Sequence, residues 1–91
     1  MSTLLKRMMH AAQLSGETFP GIPLVEIAGD SRVLVENHKG VIYYGPKEVR
    51  VNVSYGFLCV CGQNLDMARL AKDQLVITGE IGAVSLYRGR G

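Results

Sequence analysis

The segment Glu48-Val49-Arg50-Val51-Asn52-Val53 alternates polar and apolar side chains with a strict period of two. Only an extended strand puts all three valines on one side and the polar residues on the other. A strand of that kind must pair with neighbours and bury its valine face. The chain is thereby committed to a sheet with one buried and one wet face.

The remaining sequence from Leu24 onward repeats the theme in short runs rich in β-branched and aromatic residues. The runs are Leu24–Ala28, Arg32–Glu36, Val41–Tyr44, Glu48–Val53 and residues 57–61, 65–70, 75–78 and 83–87. Turn-forming residues separate them: Gly29-Asp30, residues 37–40, Gly45-Pro46, residues 54–56 and 62–64, Lys72-Asp73, and residues 79–82. This spacing predicts an all-β fold, a rolled antiparallel sheet or small β-sandwich of about seven or eight short strands. Residues 65–70 are ambiguous, because Asp66, Met67, Ala68 and Arg69 would also suit a helical turn. A strand–glycine–strand pattern recurs around Gly56 and Gly79 but is too short to mark a solenoid.

The N-terminal stretch has a different period. Leu5, Met8, Met9 and Ala12 fall on one face at helical spacing, with Lys6, Arg7 and His10 toward the other. Residues 2–14 therefore read as one amphipathic helix, capped by Ser2 or Thr3 and ended by Gly16. About three turns are marginal alone, so the helix needs a surface, either the β domain or a partner. Residues 15–23 form an extended connector held by Pro20 and Pro23, with Phe19 and Ile22 as anchors to the core. The expected organisation is a helix over 1–14, a connector over 15–23, one β domain over 24–87 and a basic tail over 88–91.

At 91 residues the chain is one domain's worth, and its composition, 47% hydrophobic and 20% charged, is that of a globular protein. A net charge of +2 is too small to imply nucleic acid by itself. The first residues lack the continuous apolar core of a secretory signal, and no run reaches the length of a spanning helix. The expectation is a soluble, cytoplasmic protein with reduced thiols.

Few residues suggest chemistry. Cys59 and Cys61 lie two apart and share a strand face. Zinc wants four ligands and wider cysteine spacing, and His10 and His38 are remote in sequence, so no metal or other cofactor is expected. The thiols read as packing or exposed groups, with oxidation or crosslinking as the functional alternative. Two cysteines at this spacing do not readily pair with each other in one regular strand. The carboxylates are scattered, no acid–base dyad is identifiable, and no glycine loop has a phosphate-binding pattern, so no catalytic residue is assigned and the chain reads as a non-enzyme.

His38 sits in a turn, Glu36-Asn37-His38-Lys39-Gly40, whose Asn and Gly tolerate positive φ. It reads as a solvated turn histidine, or else as the tip of a recognition loop. Tyr43, Tyr44, Tyr55, Phe57 and the arginine tail give a rival function, stacking on single-stranded nucleic acid.

Residues 33–42, Val-Leu-Val-Glu-Asn-His-Lys-Gly-Val-Ile, resemble a hairpin signature of the YabP/YqfC family of sporulation proteins, closer to YqfC. Gly56-Phe57-Leu58-Cys59-Val60-Cys61-Gly62 followed by Asn64-Leu65 is similar to that family's glycine-bounded strand. Residues 74–81, Gln-Leu-Val-Ile-Thr-Gly-Glu-Ile, resemble its closing run, and Tyr87 its terminal tyrosine. The cysteine pair and the tail Arg88-Gly89-Arg90-Gly91 depart from the pattern. The resemblance spans residues 22–87 and carries no catalytic residues. It implies a sporulating cell, a role in forming the spore envelope (cortex or coat), and a protein partner, in some members an integral-membrane one. Peripheral placement at the forespore membrane and self-assembly through strand edges are further expectations. The expected contact residues are Glu36, Asn37, His38 and Lys39 in the turn, with Leu5, Met8 and Met9 on the helix.

Overall fold

The computed structural model describes residues 22–89. The predicted helix, with Leu5, Met8 and Met9, lies outside them, as do Phe19 and the last two residues. Six strands form one antiparallel sheet: β1 (Leu24–Ala28), β2 (Arg32–Glu36), β3 (Val41–Tyr44), β4 (Glu48–Val53), β5 (Gly56–Leu70) and β6 (Gln74–Arg88). Their spatial order is β1-β2-β6-β5-β4-β3.

The first four strands begin and end where the alternation predicts. The last four predicted runs fuse into two strands of 15 residues each. Residues 62–64 and 79–82 are therefore not turns. They are register shifts inside a continuous β5–β6 pairing, at Cys61/Gly62 and again between Gln63 and Asp66. A bulge keeps the ladder while bending the strand. Asn64 (φ 52°) and Gly79 (φ 134°) take the left-handed backbone that this demands. The ambiguous segment 65–70 is strand.

The bend folds the sheet over. Fully extended, a 15-residue strand such as β5 would run about 50 Å. Yet one short link touches both of its ends. Lys39 N donates to Asn52 O at 2.7 Å, and Asn52 pairs with Phe57 at the start of β5. His38 Nε2 lies 3.0 Å from Ala71 O, just past the end of β5. Adjacent turns brace the corner from both sides. Gly62 N and Leu65 N donate to Lys47 O and Pro46 O in the β3–β4 turn, at 3.0 and 2.8 Å. Gly79 N and Ile81 N donate to Ser31 O and Asp30 O in the β1–β2 turn, at 3.2 and 2.7 Å.

The core lies inside the fold. Val33 and Val35 from β2, Val49, Val51 and Val53 from β4, Leu58, Val60 and Leu65 from β5, and Leu75 and Ile77 from β6 form one buried cluster. The register explains this set, since Val35↔Leu75 and Val33↔Ile77 share one face and Val51↔Leu58 and Val49↔Val60 share another. Ile22 does not anchor the connector in this core. Its side chain is exposed, and its carbonyl accepts from Asn37 Nδ2 at 2.8 Å.

The corner admits no side chain at Gly62 or Gly79. A Cβ on Gly62 would collide with Glu80 O, and one on Gly79 would sit 2.6 Å from Asn64 O in a backbone region L-residues avoid. Gly79→Ala and Gly62→Ala are each expected to cost about 3 kcal/mol. Gly82→Ala, whose nearest neighbour would be 3.4 Å away, should change little. Urea unfolding monitored by circular dichroism separates the three, and equal effects would contradict the bend described.

Candidate functional site

Residues 37–40 are not a hairpin turn. β2 pairs with β1 and β6, whereas β3 pairs with β4, so the segment is a crossover between the two halves of the folded sheet. Asn37 (φ 65°) and Gly40 (φ 116°) do adopt the positive φ their residue types allow, but for the crossover. Asn37 N donates to Asp73 O at 2.6 Å, tying one end to the β5–β6 turn. Gly40 O accepts from Asn52 N at 2.8 Å, tying the other to β4.

His38 is not solvated. It is 7% exposed, the buried polar side chain of the described residues. Gly40 N donates to its Nδ1 at 2.9 Å, so that nitrogen carries no proton. The proton is on Nε2, which donates to Ala71 O at 3.0 Å. Both ring nitrogens are thus used in a neutral imidazole. The structural role was missed because the distant partner, Ala71, contributes a backbone carbonyl and leaves no mark in the sequence.

The neighbours of His38 differ in what they offer a partner. Lys39 is exposed, while Glu36 accepts from Gln74 Nε2 at 3.3 Å. Glu36 also borders an open groove of about 520 Å³ on the outer face of the β1-β2-β6-β5 half. Leu34 and Val76 floor the groove, and Glu26, Arg32 and Arg69 line its sides. The register accounts for this, because Glu26, Leu34, Val76 and Arg69 form one outward row across four strands.

A second cluster occupies the outer face of the other half. Cys59 Sγ and Cys61 Sγ are 3.3 Å apart, and Cys59 Sγ donates to Glu48 Oε2 at 3.2 Å. Glu48 is also paired with Arg50. The Arg50 hydrogen bond first, and the Cys59 thiol second, hold the Glu48 carboxyl below its ordinary range. Cys59 is pushed up to about 12, by burial first and then by its hydrogen bonds to Cys61 and Glu48. The aromatic residues do not assemble into one stacking row. Tyr55 packs against the core, Phe57 stacks on Tyr87 at 4.6 Å between centroids, and Tyr44 donates its hydroxyl to Asp66.

The folded sheet, its bulged glycine corner and its crossover use the stretches that carry the family resemblance. The model of the YabP family matches residues 23–91. The chain belongs to the YabP family. The uncharacterized protein YqfC of Bacillus subtilis (strain 168) is 21% identical over 77 residues, spanning 85% of this chain and 83% of the relative. No solved structure matches. No helix among the described residues is long and apolar enough to cross a membrane.

Two outcomes follow. His38→Ala strands the Ala71 carbonyl and the Gly40 N–H and opens a void, at a cost of about 2–4 kcal/mol in chemical denaturation. Glu48→Gln removes the negative charge beside Cys59, so the Cys59 pKa should fall from about 12 and its alkylation should accelerate. Iodoacetamide rates against pH read this directly, and an unchanged rate profile at Cys59 would refute the assignment.

Proposed function

We propose that this YabP-family chain is a non-enzymatic sporulation protein that works by binding another protein during formation of the spore envelope. The family match over residues 23–91 carries this reading. Its physical support is that the conspicuous polar groups serve the fold. His38 and Asn37 are spent on backbone carbonyls. What remains for recognition is surface. The groove over Leu34 and Val76 mixes both signs of charge around an apolar floor, as protein-contact patches do. Lys39 and Glu36 extend it toward the crossover. Beyond Ile81, β6 has a strand partner on one side only among the described residues, which offers an edge for β-augmentation.

The partner is a protein of the sporulating cell, and an integral-membrane one fits the family resemblance. Residues 1–14 supply a second contact through Leu5, Met8 and Met9.

Tagged protein from sporulating cells should retain a specific envelope or membrane protein. The double variant Glu36→Arg, Arg69→Glu should weaken that capture by about tenfold while leaving the circular dichroism spectrum intact. Normal spores from a strain lacking the protein, with abundant expression in vegetative cells, would overturn the reading. Salt-sensitive binding to single-stranded oligonucleotides that depends on Arg88 and Arg90 would replace it with the nucleic-acid alternative.

A further inference from the structure

Cys59 and Cys61 take no part in the buried cluster that holds the sheet halves together. Their rows on the outer face run Arg50↔Cys59↔Ser85 and Glu48↔Cys61↔Ala83. Both thiols are free. Two cysteines two apart on a regular strand have Cα atoms about 6.6 Å apart, near the outer limit for a disulfide. From Cys59 to Cys61 the register is regular against both neighbouring strands, and the shift follows at once, between Cys61 and Gly62, at the corner where β5 bends. The two sulfurs are already in contact at 3.3 Å. A disulfide closes that distance to about 2.05 Å.

We propose that Cys59 and Cys61 form a reversible intramolecular redox pair, oxidised by small-molecule disulfides and reduced by the corresponding thiols. Cys61 is the entry point, being the more exposed of the two, while Cys59 is 7% exposed. The Cys61 thiolate attacks one sulfur of the small disulfide. That S–S bond breaks, and the departing thiolate takes up the proton that Cys61 released. Cys59 then attacks Cys61 Sγ, the mixed disulfide breaks, and the second small thiolate leaves. It takes the Cys59 proton, which Glu48 Oε2 has been accepting across 3.2 Å. Two protein thiols become one disulfide, and one small disulfide becomes two thiols.

The product spans neighbouring outward positions and has to pucker the strand. Strain of this kind makes a disulfide easy to reduce, which gives reversibility. The puckering falls beside Gly62, whose N–H is held by Lys47 O. Oxidation therefore acts on the bend rather than on a passive stretch of sheet.

The test uses the full chain incubated with glutathione disulfide, acid-quenched, alkylated and measured by intact mass and peptide mapping. The expected product is a monomer that has lost two hydrogens, linked Cys59 to Cys61, and returned to dithiol by excess glutathione. Cys59→Ser should stop at a glutathione adduct on Cys61, and Cys61→Ser should give no rapid adduct. Closure in the folded chain should be at least about tenfold faster than in urea, because the fold supplies the proximity. A persistent glutathione adduct on the native chain, disulfide-linked dimers as the main product, or equal closure rates in urea would each overturn the proposal. Since none of these readouts involves a binding partner, failure here is separable from failure of the proposed function.

Discussion

The structure depends on backbone meeting backbone at the corner of the β5–β6 pair. There the Gly62 backbone abuts Glu80 O, and the Gly79 backbone abuts Asn64 O, at a separation only a missing Cβ allows. Without that approach the two long strands would stay straight and the sheet would remain open. A flat six-stranded sheet would leave its valine face wet. The hydrophobic driving force is thus conditional on a steric permission granted at two glycines.

The crossover is the second half of the same solution. Once the sheet is folded, β2 must reach β3 from the opposite side, and residues 37–40 do so with the Asn37 and His38 side chains and the Asn37, Lys39 and Gly40 amides hydrogen-bonded. His38 is well suited to the task because an imidazole can accept at one nitrogen and donate at the other. The buried side-chain nitrogen and oxygen atoms of the described residues all have partners. Burying a histidine in a small domain is tolerable on those terms.

The alternation of Glu48–Val53 made its strand and its buried face legible, and the boundaries of β1, β2 and β3 followed from the same reasoning. The second half was less legible for a definite reason. Glycine marks both turns and bulges; the sequence pattern at Gly62 and Gly79 predicts turns, whereas both sit at bulges. Composition alone cannot separate them, because the difference lies in whether a neighbouring strand continues the ladder. The same limit applies at residues 37–40, where Asn and Gly signalled positive φ correctly but not which strands would be joined. The contact between the Cys59 and Cys61 sulfurs was hidden too, because a spacing of two predicts a shared face and not how closely the two side chains lean together. The family assignment was readable earlier than any of these, since it depends on order and spacing over many positions.

The arrangement of hairpins bears on how the domain assembles. β1–β2, β3–β4 and β5–β6 are each joined by a short turn and can form from local contacts. Two interfaces remain, and they differ. β4 meets β5 across the adjacent turn, whereas β2 meets β6 only after some forty intervening residues are in place, as in Val35↔Leu75. The order of events implied is a β3–β6 meander first, with the β1–β2 hairpin docking last. Its docking closes the largest loop in the domain and carries the crossover into position, so it sets the pace of folding on the scale of milliseconds to seconds that β-rich topologies show.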